Sequence, residues 1–434
     1  MSISLPLPRL LAWTYGLGLP AMLLAHPHWG GRLWAYGLQT AAAAGLLLLL
    51  ASRRDLALPP RLYLPAAGFV LAGTFSLTQA PNPSWTPLIF PLSNLITLAA
   101  GWQLAASGAP GRGRALPLLG AATALVGAYA LVQFAGFDPL PQATPFKDRI
   151  VTVFTNPNHF GNFAAAALPA ALGLYLYARG RPRWAAAAAC LLIYCGLLLS
   201  ACRGAWWGAL AGCLVILAGG AWRRWKALAF LLVLLAAATA GLTRRPALQG
   251  PDGPITLAER LASSRHIVGE LASAPDTPTP DSTINHRYFL WARTWEMIAD
   301  HPLAGLGYGR FAAEFPAYRD RAADGKLFNS LRYHQKREDT AFAHNEYLHI
   351  WAETGLLGLA AFVWLVGAGT LPALRKAWKG PPQAWLFLGI LSVFLVHSLV
   401  SYPLRLPLNG SLFWLCLGAL YRLGDPDTRD GGET

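Results

Sequence analysis

The chain has 434 residues, of which 54% are hydrophobic and only 13% are charged, and its mean hydropathy is positive. A soluble globular protein carries about 25% charged residues, so this composition excludes an ordinary soluble domain and predicts an all-α, polytopic membrane protein. The formal charge of +14 does not indicate nucleic-acid binding, because most basic residues lie in short clusters between apolar stretches.

The first apolar stretch follows Arg9 and lacks a small-residue cleavage site, so we expect a retained first helix rather than a signal peptide. A helix needs about 20 apolar residues to cross about 30 Å of hydrocarbon. About twelve segments meet that requirement, and they lie near residues 8–26, 32–51, 62–80, 86–106, 116–135, 159–178, 184–200, 204–222, 227–242, 346–369, 384–401 and 408–421.

Basic residues follow every even-numbered span, whereas the connections after most odd-numbered spans carry few charges. The basic clusters are Arg53, Arg54 and Arg61; Arg112 and Arg114; Arg179, Arg181 and Arg183; Arg223, Arg224 and Lys226; Arg375, Lys376 and Lys379; and Arg422 and Arg429. The positive-inside rule therefore predicts that both termini are cytoplasmic.

One arginine, Arg203, interrupts the apolar run between Trp184 and Trp222. As a single helix this run would be about 58 Å long, roughly twice what a bilayer needs. Two short spans that meet at Ala201–Gly204 fit better and place Arg203 on a turn at the outer surface. There it either binds a ligand or anchors the chain to lipid phosphates.

The connection after the ninth predicted span is long. We expect residues 1–242 to hold nine spans, 243–345 to form a large outer loop, 346–421 to hold three more spans and 422–434 to be a cytoplasmic tail. Within the loop, residues 283–300 have helical periodicity and begin beside Arg287. The recurring residues of this amphipathic segment are Tyr288, Trp291, Ala292, Trp295 and Ile298.

The mouth of the tenth span is rich in polar side chains. On a continuous helix His344 and Tyr347 would share one face, and Glu346, His349 and Glu353 another. His349 and Glu353 are too few to ligate a metal, so we expect them to pair with each other and with neighbouring helices. A DxD sequence, Asp425 to Asp427, lies in the predicted cytoplasmic tail, on the wrong side for an outer site.

The sixth span opens with another polar group, Asn156, Asn158, His159 and Asn162, whose asparagines suit turns and caps but also face the predicted outer surface. Arginines and a histidine at that surface suit a pyrophosphate and an attacking hydroxyl, because the guanidinium fork binds two oxygens and imidazole accepts a proton. This chemistry indicates group transfer from a lipid-linked pyrophosphate to an alcohol. The five cysteines have no metal-ligand spacing and are interpreted as small core residues.

Four segments carry a resemblance to a known family. They are SACRGAWWG at 200–208, ADHPLAGLGYGRF at 299–311, AHNEYLHIWAETGLLGL at 343–359 and FTNPNHFGNFAAAALP at 154–169. In this order they resemble motifs of the O-antigen ligase and polymerase superfamily, bacterial envelope glycan transferases, over roughly residues 150 to 400. Cys202 stands where that family often has serine.

The resemblance implies a lipid-dependent, GT-C-like glycosyltransferase bundle in the bacterial inner membrane, with a periplasmic active site, no metal or other cofactor and an inverting reaction. Arg203 and Arg287 would bind the pyrophosphate of an undecaprenyl-pyrophosphate-linked glycan, and His344 would activate or orient the acceptor hydroxyl. A wider set of residues would bind pyrophosphate or glycan: Asn158, His159, Asn345, Glu346 and Arg310.

The acceptor is left open by these motifs. Lipid A–core is favoured, which would make the protein a ligase. A second lipid-linked repeat would make it a polymerase, and serine or threonine of an exported protein would make it a protein O-oligosaccharyltransferase. From a different class, a transporter of lipid-linked glycan would also use arginines in a bundle, although its polar groups would lie near the midplane.

Overall fold

A computed structural model describes most of the chain from the third predicted span onward. The described residues are 58–80, 86–106, 109–140, 150–154, 156–243, 246–250, 253–263, 282–321, 340–378 and 383–425. The first two predicted spans, Arg53, Arg54, Lys379 and Arg429 lie outside them.

The described residues form thirteen α-helices and one short antiparallel hairpin. The helices are α1 Pro60–Thr78, α2 Ile89–Ala106, α3 Ala109–Phe134, α4 Pro157–Tyr177, α5 Arg181–Leu199, α6 Arg203–Ala218, α7 Trp225–Leu242, α8 Leu257–Ser263, α9 Ser282–Asp300, α10 Phe311–Arg319, α11 Glu346–Ala377, α12 Gln383–His397 and α13 Pro407–Leu423. The hairpin strands are β1 Pro246–Gly250 and β2 Gly253–Thr256.

The expectation of a helical membrane protein is confirmed, with the hairpin as the departure from an all-α chain. Each predicted span from the third onward coincides with a helix, and the largest differences are at α11, which ends at Ala377 rather than 369, and at α3, which begins at Ala109 rather than 116. Within the described residues, four helices are long and apolar enough to cross a membrane: Pro157–Tyr177, Arg181–Leu199, Ala221–Leu242 and Glu346–Ala377. The total of about twelve spans stays a prediction.

Helix α4 is the centre of the bundle. Its sequence AAAALPAALG presents small side chains nearly all round, and almost every residue from Phe160 to Leu176 is buried. Small residues let neighbouring backbones approach closely. In a membrane this close van der Waals packing stabilises helix association, because the hydrophobic effect does not drive helices together in lipid. Four of the five cysteines are buried, Cys213 is half-buried and none forms a disulfide, which confirms their interpretation as core residues.

Several helices bring basic residues to one end of the bundle, here named the basic end. Arg61 at the start of α1 donates to the carbonyls of Tyr421 and Gly424 at the end of α13, and its guanidinium lies 3.1 Å from Asp425. Lys376, near the end of α11, donates to the carbonyl of Asp425. Asp425 of the DxD sequence therefore has a structural partner in Arg61.

The opposite ends of the same helices meet around a break in α11. Gly355 has a φ of 66°, in the left-handed region that favours glycine, so α11 is two helical segments joined by a kink. The loop 301–310 enters this break, because the Leu306 amide donates to the Ala352 carbonyl at 2.9 Å and the Leu356 amide to the Pro302 carbonyl at 2.9 Å. We name this end of the bundle the site end.

The amphipathic helix predicted at 283–300 is confirmed as α9. The recurring aromatic residues do not form its most buried face, since Trp295 is 54% exposed. The buried face instead runs through Phe289, Leu290, Met297 and Ile298, which pack with α10 and the start of α11.

Candidate active site

Arg203 is the first residue of α6, directly after a tight turn that ends α5. The Cys202 amide donates to Ser200 Oγ at 3.3 Å, and Ala201 has a φ of 50°. This confirms the predicted division of the long apolar run into two short helices. Cys202, the N-cap, provides no side-chain cap, so the first amides of α6 and the helix dipole suit an anion, and Arg203 itself is only 5% exposed.

The segment 398–402, between α12 and the 3-10 turn Pro403–Arg405, joins the other candidate residues and is named the hub turn. Its carbonyls accept three hydrogen bonds, one from α9 and two from the start of α11. The bonds run from Arg287 Nε to Val400 O (3.0 Å), from Asn345 Nδ2 to Leu399 O (3.0 Å) and from the Glu346 amide to Ser398 O (2.8 Å).

Tyr402, the last residue of the hub turn, makes ring contacts with two histidines and a phenylalanine. Its ring stacks on Phe342 with centroids 4.2 Å apart, and it meets the edges of His344 at 4.8 Å and His159 at 6.3 Å. His286, which precedes Arg287 on α9, lies 5.7 Å from His344. Residues from four separate parts of the chain therefore place three imidazoles and one phenol ring in a single group.

His344 lies just before α11 rather than on it, which makes the predicted face shared with Tyr347 wrong. Asn345 is the N-cap and accepts a hydrogen bond from the Leu348 amide at 3.1 Å, so the helix begins at Glu346. His344 has a φ of 54°, a conformation that sets its ring apart from the helix. Desolvation, followed by the positive charge of Arg287, lowers the pKa of His344 to about 3.

His397 links the turn that holds Arg203 to the hub turn that holds Arg287. Its Nε2 lies 3.9 Å from Cys202 Sγ, and the charge of Arg287 acts on its ring. A Cβ at Gly204 would lie 2.8 Å from both His397 Nε2 and Val400 Cγ2, so only glycine allows α6 to start so close to the hub turn. The structure thus brings the two predicted arginines and His344 to one region.

A buried ionic cluster supports the start of α11. Arg405 lies 3.0 Å from Glu346 Oε1 and 3.0 Å from Glu353 Oε2, and His349 Nε2 lies 3.2 Å from Glu353 Oε1. The Ala343 amide donates to His349 Nδ1 at 3.2 Å, which leaves the ring proton for Nε2, toward Glu353. The expected pairing of His349 with Glu353 is confirmed, and Glu346 is held in this cluster by Arg405.

Two other residues singled out in the sequence, Asn156 and Arg310, make local hydrogen bonds at the starts of their helices. Asn156 caps α4 by accepting from the Asn158 amide at 2.9 Å, so the cap interpretation is confirmed for that asparagine. Arg310 precedes α10 and donates from Nε to Glu314 Oε1 at 3.2 Å. This ion pair, one turn apart at the start of α10, gives Arg310 a structural partner.

Sequence reasoning missed four residues of this region: Tyr402, His286, His397 and Arg405. Tyr402 and Arg405 belong to the short connection SYPLRL, residues 401–406, after the predicted eleventh span, and Arg405 is the one charged residue of that connection. His286 adjoins Arg287, and His397 lies near the end of an apolar span. An ionisable residue within a predicted membrane span is itself an indication of a functional site, because its burial there costs free energy.

Comparison with known proteins bears on the middle of the chain. Residues 187–363 match the family model described as O-antigen ligase. An O-antigen ligase of Salmonella typhimurium is 28% identical over 124 residues, which is 27% of this chain and 29% of the relative's own length. These matches confirm the resemblance to the O-antigen ligase superfamily. The family match contains Arg203, Arg287 and His344, whereas His159, His397 and Tyr402 lie beyond its ends.

Proposed function

We propose that the protein transfers a glycan, an O-antigen or similar polysaccharide, from undecaprenyl pyrophosphate to an acceptor hydroxyl, with lipid A–core as the favoured acceptor. The observation that supports this best is the convergence of Arg203, Arg287 and His344 at the site end. Two arginine forks and a helix N-terminus provide the donors that a pyrophosphate needs, and a neutral imidazole provides the acceptor that a hydroxyl proton needs.

The reaction follows from these roles. The acceptor oxygen attacks the anomeric carbon of the donor sugar while its proton passes to His344, and the bond from that carbon to the pyrophosphate breaks. Undecaprenyl pyrophosphate leaves, with its developing charge held by Arg203 and Arg287 in place of a general acid. A single displacement of this kind inverts the anomeric configuration and requires no metal or other cofactor.

Before the donor binds, the pKa of His344 is lowered to about 3. A bound pyrophosphate would offset the charge of Arg287 and raise the pKa of His344 toward the value that suits a base. The base would therefore be strengthened only when the donor is present, which couples proton transfer to a filled site.

In this proposal the chain is an inner-membrane protein with about twelve spans in a GT-C-like bundle. The basic end faces the cytoplasm together with both termini, and the site end faces the periplasm. The loop 243–345 would then lie over the outer leaflet, where the lipid-linked donor presents its glycan. Asn158, His159, Asn345, Glu346 and Arg310 are proposed to contact or support the bound pyrophosphate and glycan.

A transfer assay in liposomes tests the proposal. Purified protein is given undecaprenyl-pyrophosphate glycan with either lipid A–core or a second lipid-linked repeat, in the presence and absence of EDTA. A single shift of lipid A–core that survives EDTA is expected. A ladder on the lipid-linked acceptor would establish a polymerase instead. No product with either would overturn the proposal and favour protein acceptors or transport of the lipid-linked glycan.

A further inference from the structure

We propose that His349 is a positioning residue, which holds the backbone directly before His344 so that the His344 ring faces the acceptor hydroxyl. This role rests on the proposed function, and it belongs to a side chain for which the sequence predicted only a pairing with Glu353. Three observations support it: the strained backbone of His344, the hydrogen bonds on both of its sides, and the fixed ring of His349.

His344 has a backbone conformation that its own residue type disfavours. Its φ of 54° lies in the left-handed region, which a residue with a Cβ enters at a cost in free energy. Such a conformation persists only when the surrounding structure holds it. The position of the imidazole follows from this backbone, because the side chain leaves the chain at that residue. The bonds made by the neighbouring residues therefore determine where the imidazole lies.

The residues on either side of His344 are both held by hydrogen bonds. After it, Asn345 donates from Nδ2 to the Leu399 carbonyl of the hub turn at 3.0 Å. Before it, the fully buried Ala343 donates from its amide to His349 Nδ1 at 3.2 Å. The hub turn thus holds one side of the strained residue, and the ring of His349 holds the other.

The ring of His349 is itself held on its other edge and on one face. Its Nε2 lies 3.2 Å from Glu353 Oε1, and Phe311 stacks on the ring with centroids 4.5 Å apart. Glu353 is fixed in turn, because its Oε2 lies 3.0 Å from Arg405 and its Oε1 accepts from the Phe311 amide at 3.2 Å. His349 is only 1% exposed. A rigid, buried ring whose acceptor nitrogen meets Ala343 suits positioning rather than contact with substrate.

Two amide substitutions separate the two nitrogens of the His349 ring. An asparagine oxygen branches from Cγ, as Nδ1 does, so His349→Asn keeps an acceptor for the Ala343 amide. A glutamine amide nitrogen lies one atom further along, as Nε2 does, so His349→Gln keeps an N–H toward Glu353 and loses that acceptor. Both variants remove the imidazole, so each serves as the matched control for the other.

The liposome transfer assay measures the effect of each substitution. His349→Gln should lower kcat by about tenfold to a hundredfold, because a small misplacement of a reacting group has a cost of that order. Its KM for the donor should stay near the wild-type value, since Arg203 and Arg287 are held elsewhere. His349→Asn should keep most of the wild-type kcat. Hydrogen exchange at the Ala343 amide, followed by mass spectrometry, should be faster in His349→Gln alone.

A merely structural role would lower the thermal midpoint of both variants without separating their kcat values. A kcat for His349→Asn at or below that of His349→Gln would overturn this inference and leave the proposed function standing. A folded His349→Asn with wild-type donor KM but less than about a tenth of the wild-type kcat would also overturn it, even where His349→Gln does not fold. Absence of transfer by the wild type would overturn both.

Discussion

Arg203 is the first residue of α6, and its contribution to binding an anion depends on the geometry of its guanidinium as well as on its charge. Replacement by lysine keeps a positive charge but removes the fork that binds two oxygens at once. We expect Arg203→Lys to reduce kcat/KM by about 100-fold, the loss typical when one donor to a developing anion is removed. Transfer kinetics measure this, with the thermal midpoint as the check on folding.

A contrary result for Arg203 would be turnover near that of the wild type, which would make the residue a simple interfacial anchor. Arg181→Lys, at an exposed position of the basic end, provides the comparison. Lysine keeps the positive charge there and no proposed ligand lies near it, so its effect should be small.

The pH dependence of the reaction reports on His344. Because desolvation and Arg287 lower its pKa to about 3 from an ordinary 6.5, the free protein keeps this imidazole neutral throughout pH 5 to 8. The acid limb of kcat/KM, which reports groups of the free enzyme, should therefore lie below pH 5. An acid limb near pH 6.5 that disappears in His344→Gln would contradict the assignment.

The same shift has a consequence for stability. A depressed pKa in the folded state means that the unfolded chain binds the proton more readily, so the contribution of His344 is fully present above pH 6.5. It is lost as the pH falls from there toward 3. The thermal midpoint of His344→Gln should accordingly fall less steeply below pH 6 than that of the wild type.

At the scale of helices, hydrophobic length and charge predicted most elements, because a span must be about 20 residues long and its ends must reach water. The division at Ala201–Gly204 and the helix at 283–300 followed from these rules. The buried residues of α9 did not, because helical periodicity does not determine whether an apolar face meets lipid or protein. Trp295 lies on the exposed side and contacts Trp351 edge-on at 5.6 Å.

The break in α11 shows what periodicity alone does not predict. The sequence AETGLLGL continues a helical pattern through Gly355, yet that residue is in the left-handed region and the loop 301–310 occupies the gap. His344 was likewise assigned to a helix that begins two residues later. Tyr402 and His397 reach the site through tertiary packing, which no local pattern of a single sequence encodes.

Gly355 therefore offers a test of the break in α11. A Cβ there would lie 2.0 Å from the Leu303 carbonyl oxygen, and alanine in this conformation costs about 1–2 kcal/mol before any clash. Gly355→Ala should lower the thermal midpoint and remove transfer activity by displacing the loop. Gly367→Ala in the same helix is the control, because its Cβ would meet nothing within 4 Å and alanine favours helix.

Should Gly355→Ala match the stability and activity of Gly367→Ala, the break in α11 would not matter to the site. The expected contrast depends on one change of residue type at two positions of a single helix. Only the left-handed conformation and the space around each Cβ distinguish them.

At the scale of the molecule, the two ends of the bundle differ in kind. One end holds basic clusters that pair with backbone carbonyls and Asp425, and the other holds buried ionisable groups around a hub turn. Sequence placed the candidate residues on one face through alternation of charge, and the described helices bring most of them to one end. The orientation of that end in a cell is a prediction of the positive-inside rule.

Single cysteines at exposed positions would determine this orientation. His301, in the loop at the site end, and Arg181, at the basic end, are both exposed, so cysteine fits at either without disturbing the core. In spheroplasts a membrane-impermeant thiol reagent should label His301→Cys at once and Arg181→Cys only after permeabilisation, with the unmutated chain as the background. The reverse pattern would place the arginines and His344 in the cytoplasm, where a donor displayed outside could not reach them.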